Sequence, residues 1–162
     1  MGDLQAREEE KTVAQNRKAR HEYFIIETFE AGIVLTGTEI KSVRESRLNL
    51  KDGYARIENG ELWLHKVHIS PYDKGSYYNP DPDRSRKLLM SRHEIIRLGS
   101  KLNERGLTLV PLRIYIKNRR WAKVEVALVK HKTQGDKRDS IAERDAEREM
   151  ARTVRRGRQD SD

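Results

Sequence analysis

Two charged residues with a spacing suited to phosphodiester chemistry are Glu39 and Lys41, separated by one isoleucine. One large class of nucleases uses this spacing, with the carboxylate binding Mg²⁺ and the ammonium polarising water or phosphate. Such a site needs a further carboxylate from a neighbouring strand, for which Glu27 and Glu30 are the candidates. The same pair equally suits a solvent-facing position beside a basic groove. Because this spacing is very common, the sequence favours the second interpretation.

Histidine is the other residue type that could hold a metal, and the chain has five: His21, His65, His68, His93 and His131. Only His65 and His68 are close in sequence, and residues three apart on a strand face opposite sides. The absence of cysteine excludes thiolate sites and disulfides and fits a reducing cytosol. No Ser-His-Asp order, phosphate-binding loop or dinucleotide motif is present. We therefore expect no metal and no cofactor.

The charge of the chain is basic and unevenly distributed. Of 162 residues, 37% are charged and only 35% are hydrophobic, and the formal net charge is +8. Residues 16–129 carry 22 cations and 14 acids, whereas residues 1–15 and 130–162 have net charges of −2 and +2. A basic domain of this size favours a polyanion partner, most often nucleic acid. On charge alone, a merely soluble basic protein stays an alternative.

Cations and aromatic residues alternate along the basic segment, around predicted strand ends and loops. The cations would supply affinity for phosphate without reading sequence, and the aromatic rings could stack on unpaired bases. The cations are Arg17, Lys18, Arg20, Lys41, Arg44, Arg84, Arg86, Lys87, Lys123, Lys130 and Lys132. The aromatic residues are Tyr23, Tyr54, Trp63, Tyr72, Tyr77, Tyr78 and Trp121. For the two tryptophans we favour burial in the core; for the tyrosines, base stacking and loop packing are both open.

About six short strands must position these side chains. Apolar runs on either side of Gly32 predict a hairpin. Asn59-Gly60 predicts another, because both central positions of a type I′ turn need positive φ. Residues 107–129 predict a third, in which Pro111 indicates a sheet edge or a bulge.

Two helices and a long loop are predicted among the strands. The stretch TEIKSVRES predicts a short amphipathic helix with Thr38 as its N-cap. Residues 87–103 predict a longer helix, in which Ser91 is a capping residue. Residues 70–83 hold three of the four prolines and predict an irregular loop. The whole is mainly β and fits an oligonucleotide-binding-type β-barrel with flanking helices, with a small α+β sandwich as the alternative.

The two ends of the chain lack the apolar pattern of the middle. We expect a disordered N-terminal arm over residues 1–15, the barrel domain over residues 16–132, and a basic tail over residues 133–162. The apolar row of the tail, which includes Ala146 and Met150, is thin, so a helix there would depend on a partner. No run of about 18 apolar residues and no apolar leader is present, so neither a membrane span nor a secretory signal is expected.

Long segments of the chain match a known family in the same order. They are NRKARHEYFIIETFEAGIVLTGTEIKSVR, NLKDGYARIENGELWLHKVHISPY, DPDRSRKLLM, GLTLVPLRIYIKNRRWAKVEVALVKHK and DKR. Over residues 16–150 the chain resembles the bacterial small protein B family, the SsrA-binding proteins. The resemblance implies an oligonucleotide-binding barrel with flanking helices and a basic tail. It also implies a non-enzymatic adaptor in trans-translation, the rescue of ribosomes stalled on messages without a usable stop codon.

The partners follow from the same resemblance. It implies binding to the tRNA-like domain of transfer-messenger RNA, near its elbow and D-loop, and to the small ribosomal subunit and its RNA. Elongation factor Tu would be an indirect partner, because it delivers the alanine-charged RNA. The tail would enter the decoding centre and empty message channel and become helical there. A cytoplasmic monomer without a membrane partner is expected.

The resemblance also assigns site residues. Asn16, His21, Glu30, Leu89 and Lys123 fall where the family contacts its RNA. Because a carboxylate does not bind phosphate, we expect Glu30 to accept hydrogen bonds from the N1–H and N2–H₂ edge of a guanine. The further predicted RNA contacts are Arg17, Arg20, Lys41, Arg44, Tyr54, Arg84, Arg86, Lys87, Lys130 and Lys132. The predicted ribosome-binding residues of the tail are Asp136, Lys137, Arg138, Arg144, Arg148, Arg152, Arg155 and Arg156.

The chain departs from the family pattern at two positions of the stretch KHKTQGDKR. His131 stands where glycine between two lysines is common, and Gly135 stands where an aromatic residue or histidine is common. If that side chain stacks on a ribosomal base, Gly135 cannot do so, and His131 is the candidate replacement. The functional alternatives are a generic barrel that binds RNA or single-stranded nucleic acid and the Mg²⁺-dependent nuclease through Glu39 and Lys41.

Overall fold

The computed structural model describes residues 9–74 and 78–159. Its strands are β1 Glu10–Gln15, β2 Tyr23–Ile33, β3 Leu48–Asn49, β4 Tyr54–Glu58, β5 Glu61–His65, β6 His68–Ile69, β7 Arg86–Leu89, β8 Leu107–Lys117 and β9 Trp121–His131. Its helices are α1 Arg17–Glu22, α2 Gly37–Arg44, α3 Arg92–Leu102 and α4 Gln134–Gln159. The chain divides into two compact units, with the boundary between Lys130 and His131.

Seven strands of the first unit form a barrel-like sheet in the order β1-β8-β4-β5-β7-β2-β9. The strand β9 also pairs with β8, the second strand of this order, and β3 and β6 pair separately. Two junctions are narrow, with one residue pair joining β4 to β8 and two joining β2 to β7. The architecture confirms the predicted mainly-β, oligonucleotide-binding-type fold.

The interior of this sheet is filled by aliphatic side chains. Leu109 and Ile114 from β8 and Val126 from β9 are completely buried, as is Leu98 from α3. Residues of β8 whose side chains do not enter this interior face the other side of the sheet, because successive residues of a strand point to opposite faces. That outer face of β8 carries the site described below.

Three features that were predicted from short stretches of sequence are confirmed: a turn, a bulge and a helix cap. Asn59 and Gly60 have φ of 51° and 76° and join β4 to β5. The register of β8 and β9 shifts between Pro111 and Arg113, which is the predicted bulge. The Ser91 hydroxyl accepts a hydrogen bond from the Glu94 amide and caps α3.

The hairpin predicted around Gly32 is wrong, because β2 continues through this residue. Gly32 pairs with Leu89 of β7, and a Cβ at Gly32 would lie 3.3 Å from the Leu89 Cβ. The glycine therefore allows two strands to approach closely and does not make a turn.

Two boundaries differ from the sequence prediction. Residues 87–89 belong to strand β7 and not to the following helix, because they pair with β5 on one side and β2 on the other. The cap of α2 is Thr36 and not Thr38. The Thr36 hydroxyl accepts from the Glu39 amide while the Glu39 carboxylate accepts from the Thr36 amide, a complete capping box.

The predicted disordered arm is wrong for residues 10–15, which form β1 along the edge of β8. Backbone pairing to an existing strand orders this segment although it has little apolar periodicity of its own. The rest of that prediction lies outside the described residues, except for Glu9, which hydrogen-bonds Asn118.

The second unit is the long helix α4. Thr133 and Asp136 cap it reciprocally: the Thr133 amide donates to Asp136 Oδ2 over 3.0 Å, and the Asp136 amide donates to Thr133 Oγ1 over 3.1 Å. The sequence Thr-Gln-Gly-Asp is therefore the signal that begins the helix. Among the described helices, none is long and apolar enough to cross a membrane.

Candidate nucleic-acid interface

A half-exposed carboxylate, Glu30 of β2, lies at the centre of a polar cluster on the outer face of the sheet. The Tyr115 hydroxyl donates a short hydrogen bond to Glu30 Oε2, and Lys117 Nζ lies 3.3 Å from Oε1. Lys123 is directly opposite Tyr115 in the β8–β9 register. The cluster presents one oriented acceptor flanked by two ammonium groups.

The surroundings of Glu30 keep it ionised. The hydrogen bond from Tyr115, and then the hydrogen bond and charge of Lys117, lower the pKa of Glu30 in spite of a partial burial that acts in the opposite direction. The phenol of Tyr115 is 2% exposed, and burial together with the Glu30 carboxylate raises its pKa. At neutral pH Tyr115 is therefore the donor and Glu30 the charged acceptor, which leaves Glu30 able to accept from a ligand.

Arg113 continues the same face of β8 two residues earlier. Its guanidinium binds Glu125 at 2.7 Å and Glu10 at 3.0 Å, and its central carbon stacks 4.0 Å from the centre of the Tyr115 ring. Arg113, Tyr115 and Lys117 were not predicted as site residues from the sequence. The available signal was their spacing of two residues, which places them on one face of a strand.

Asn16 is buried, and its side-chain amide forms hydrogen bonds within the protein. Its Nδ2 donates to the carbonyl of Pro111 over 3.0 Å and to that of Leu50 over 3.4 Å, while Oδ1 accepts from the Ala19 amide. The structure therefore corrects the expected direct RNA contact to a positioning role, because this amide fixes the start of α1. Its neighbours Arg17 and Arg20 are exposed.

Arg17 and Arg20 line a cleft of about 300 Å³ beside α1. Its other lining residues are Gln15, Asn16, Leu112, Arg113 and Glu125. His21 follows on the same helix and is half-buried. Because Arg113 belongs both to this cleft and to the face that carries Glu30, the two groups of predicted contacts form one continuous surface.

Arg86 is not an RNA contact, because it is 0% exposed. Its Nε donates to Glu39 Oε2 over 2.6 Å, and its two terminal nitrogens donate to the carbonyls of Val67 and Pro82. Arg84 is half-buried, and its Nε lies 3.1 Å from both oxygens of Glu39. These two predicted RNA contacts instead tie the long loop to α2.

The same cluster argues against the nuclease alternative. Glu39 is buried, and its oxygens accept from Arg84, Arg86 and the Thr36 amide, so it has no free lone pair directed at a cation. Lys41 Nζ points away to the Tyr72 ring, 5.1 Å from its centre. Within residues 9–74 and 78–159, no group of three potential metal ligands converges.

Among the remaining predicted contacts of the first unit, Leu89 pairs with Gly32, two residues after Glu30 on β2. Lys87 Nζ donates a hydrogen bond of 3.1 Å to the Glu61 carboxylate. Leu89 is 53% exposed and lines a surface pocket together with Lys87 and Glu61. The Tyr54 ring packs 5.1 Å from the His65 ring. Lys130 is exposed at the end of β9. Tyr77 lies outside the described residues.

Trp121 corrects the expectation that both tryptophans are buried. Its indole is 58% exposed at the start of β9, opposite Lys117, while Trp63 is half-buried. An exposed ring beside cations suits stacking on a base more than core packing.

The predicted ribosome-binding residues of the tail lie on helix α4. Arg144, Arg148, Arg152 and Arg156 recur every four residues and therefore share one face, with Arg155 adjacent. All five are exposed. Asp136 caps the helix, with Lys137 and Arg138 in the same turn, while Lys132 Nζ binds the Ser140 hydroxyl at 2.9 Å. Gly135 lies in the first turn, where a Cβ would meet only the Thr133 hydroxyl at 3.8 Å.

A protein-family comparison matches most of the chain. The family model described as SmpB protein matches residues 13–156. The SsrA-binding protein of Desulforudis audaxviator (strain MP104C) is 63% identical over 150 residues, which cover 93% of this chain and 97% of the relative. That of Moorella thermoacetica is 61% identical over 145 residues, which cover 90% of this chain and 94% of the relative.

A solved structure has the same fold. It is described as "tmRNA-SmpB: a journey to the center of the bacterial ribosome", and its matching chain superposes with a TM-score of 0.64 at 48% sequence identity. The superposition covers 79% of this chain and 93% of that chain. Sequence and fold therefore agree on the same group of relatives.

Proposed function

The chain belongs to the SmpB protein family, and we propose that it is an adaptor that binds the tRNA-like domain of transfer-messenger RNA and brings it to stalled ribosomes. The adaptor performs no catalysis. It acts in the cytoplasm as a monomer, and it meets elongation factor Tu only through the charged RNA. The relatives' name, SsrA-binding protein, supports this RNA as the ligand.

The observation that carries the proposal is the ionised Glu30 flanked by Lys117 and Lys123. A fixed carboxylate accepts two hydrogen bonds from the Watson–Crick edge of an unpaired guanine. The ammonium groups beside it bind the phosphates on either side of that base. Specificity thus comes from Glu30 and affinity from the cations.

The surface beside α1 supplies further contacts to the same RNA. Arg17 and Arg20 line the neighbouring cleft, and Asn16 holds their helix in place. The exposed Trp121 offers a ring for base stacking at the other end of the surface. Together they follow the backbone of a folded RNA loop.

The tail contributes ribosome binding. The arginine stripe of α4 presents charge to RNA phosphates along one face of the helix. In this proposal α4 lies in the decoding centre and the empty message channel, where ribosomal RNA surrounds it.

A competition gel shift tests the proposal. Labelled tRNA-like domain is bound by the full chain and challenged with tRNA and with single-stranded DNA; we expect neither to compete at equal concentration. Equal affinity for all three nucleic acids would contradict the proposal and indicate a generic nucleic-acid-binding barrel.

Paired variants sharpen that experiment. Glu30→Gln should weaken binding of the tRNA-like domain about tenfold, ~1.4 kcal/mol. The matched control is Glu61→Gln, whose carboxylate forms an exposed ion pair with Lys87. Equal losses of RNA affinity in the two variants would show that Glu30 does not recognise the base.

A further inference from the structure

Two carboxylates lie within the outer face of the sheet that the proposed function assigns to RNA. Glu125 of β9 is directly opposite Arg113 of β8, and its Oε2 accepts from Arg113 Nε over 2.7 Å. Glu10 of β1 accepts from one terminal nitrogen of the same guanidinium over 3.0 Å, and the Thr12 hydroxyl accepts from the other over 3.2 Å. We call Glu10, Arg113 and Glu125 the acidic triad.

The hydrogen-bond donors of Arg113 are engaged within the protein. Each of its three side-chain nitrogens makes one of these contacts, and its central carbon lies 4.0 Å from the centre of the Tyr115 ring. Because one guanidinium is shared by two carboxylates, the triad carries a net charge of −1. Its side chains are between 24% and 36% exposed, so a ligand on this face meets that charge at close range.

The acidic triad separates two cationic groups on this face. On one side, Arg17 and Arg20 line the same cleft as the triad residues Arg113 and Glu125. On the other side, the next cations on the same face of β8 and β9 are Lys117 and Lys123. They lie four and two residues from the triad, and positions with such spacings share one face of a strand. A nucleic-acid backbone that ran straight from one cationic group to the other would therefore cross the triad.

We propose that the acidic triad makes the protein selective for folded RNA, because it repels an extended nucleic-acid strand from the middle of this face. Like charges at short range raise the free energy of a complex, and interfaces obtain specificity partly from such repulsive groups. A single strand that binds both cationic groups must place phosphates against Glu10 and Glu125. The inference rests on the proposed function, because that function identifies the two cationic groups as RNA contacts.

A folded RNA avoids this repulsion. Its loops and backbone turns approach the protein at separate points, so its phosphates reach Arg17 and Arg20 on one side and Lys123 on the other without contacting the triad. A face that only held phosphate would be stronger with an unpaired arginine at its centre. The two acidic residues around Arg113 therefore lower the general affinity for nucleic acid and preserve the affinity for the folded ligand.

Fluorescence anisotropy with two labelled ligands tests this inference on the full chain. One ligand is the tRNA-like domain, and the other is a 12-nucleotide single-stranded RNA of mixed sequence. We expect Glu10→Gln/Glu125→Gln to bind the 12-mer about fivefold more tightly than wild type, because its phosphates then meet a guanidinium without carboxylates. Affinity for the tRNA-like domain should rise by less than about twofold, because its phosphates do not contact the triad. The gain for the 12-mer should shrink as the salt concentration is raised, because screening weakens interactions between exposed charges.

The matched control is Glu94→Gln/Glu104→Gln, which makes the same change in net charge at two exposed residues outside the cleft. We expect its affinity for the 12-mer to change by less than about twofold. Equal gains in the two double variants would overturn the inference, by showing that only the net charge matters. An unchanged 12-mer affinity in Glu10→Gln/Glu125→Gln would also overturn it and would leave the triad as an ion-pair link that holds β1 to the barrel. Equal gains for the two ligands would overturn it as well, because the triad would then lower affinity without selecting a ligand.

Urea denaturation shows whether each variant is folded. If Glu10→Gln/Glu125→Gln does not fold, Glu125→Gln alone decides, since it keeps the ion pair between Glu10 and Arg113. This single variant should bind the 12-mer about twofold more tightly than wild type, and the absence of any gain would overturn the inference. Failure of the proposed function is distinguishable, because wild type would then bind the 12-mer as tightly as the tRNA-like domain. The comparison of wild type with the glutamine variants on the 12-mer would still test the repulsion.

Discussion

The buried carboxylate of Glu39 holds two arginines that sequence alone places on the surface. Arg86 is completely buried, and Glu39 is its charge partner. Removing one member of a buried pair leaves an uncompensated charge in a poorly solvated place. Glu39 therefore stabilises this corner of the barrel through its ion pairs with Arg84 and Arg86.

We predict that Glu39→Gln lowers the free energy of unfolding by about 3–5 kcal/mol. Urea denaturation at pH 7 measures the change. Glu61→Gln is the control, because the exposed Glu61–Lys87 pair contributes only about 0–1 kcal/mol. Similar midpoints for the two variants would contradict the structural role of Glu39.

The same carboxylate predicts a pH dependence. Burial alone would raise the pKa of Glu39, but hydrogen bonds from Arg84, the Thr36 amide and Arg86 outweigh it and lower the pKa. A group whose pKa is lower in the folded state stabilises the fold above its unfolded pKa and loses this contribution as pH falls through the folded value. Wild type should thus lose stability in acid below the ordinary carboxyl range. Glu39→Gln should lose correspondingly less over the same interval.

Tyr115 acts through Glu30. We predict that Tyr115→Phe raises the pKa of Glu30 toward its ordinary value, because the largest cause of the lowering is the lost hydrogen bond. Carboxyl NMR titration measures this shift. Affinity for the tRNA-like domain should fall severalfold.

A double-mutant cycle separates this positioning role from a general loss of stability. In a Glu30→Gln background, Tyr115→Phe should cause no further loss of RNA affinity if the tyrosine works only by orienting the carboxylate. Additive losses would show that Tyr115 contributes in another way.

The helix α4 begins where its capping box places it. Asp136 is both the first residue of the predicted ribosome-binding motif and the acceptor that satisfies the Thr133 amide. Asp136 therefore has a structural role as a capping residue. Its charge alone would not account for its presence, because an acidic residue on a basic tail repels RNA phosphate. At the first turn of a helix it also interacts favourably with the helix dipole.

We therefore predict that Asp136→Ala destabilises the start of α4 by about 1 kcal/mol and lowers the helical circular dichroism of the tail. Asp139→Ala removes an equal charge one turn later and is the control. The melting transition of the barrel should be the same in both variants. Equal helicity in the two variants would refute the capping role.

The division of the chain into two units separates two tasks. Among residues 9–74 and 78–159, the buried hydrophobic residues of the core all lie between Val13 and Val129, within the first unit. The proposed transfer-messenger RNA surface lies within the first unit as well. The arginine stripe belongs to the second unit.

Truncation after Lys132 tests this division. We expect affinity for the tRNA-like domain to stay within about threefold of wild type, ~0.6 kcal/mol. Peptide tagging on stalled ribosomes, measured in a reconstituted translation reaction, should be abolished. A large loss of RNA affinity would show that the tail also binds this RNA.

Much of this protein could be predicted from its sequence. The quoted motifs identified the family, which the family model and the relatives confirm. The Asn59-Gly60 turn, the bulge at Pro111 and the Ser91 cap were also predictable. These features depend on the dihedral preferences and hydrogen-bonding groups of a few neighbouring residues, and such preferences act within the local chain.

The wrong predictions have the opposite cause, because they depend on residues that are far apart in the sequence. Gly32 looked like a turn because its partner Leu89 is 57 residues away, and Arg86 looked like a phosphate ligand because Glu39 is 47 residues away. Trp121 looked like a core residue because its exposure depends on where the sheet ends. No window of sequence contains both members of these contacts.

The sequence by itself determined the β8–β9 hairpin, the Asn59-Gly60 turn and the family, because alternation, turn residues and long motifs each depend on residues that are close together in the chain. Only the tertiary structure decided which cations are free to meet RNA. It buried Arg86 beneath Glu39 and gave Glu30 its donor from Tyr115. The availability of a charge depends on its neighbours in space, and the barrel brings those neighbours together from distant parts of the chain.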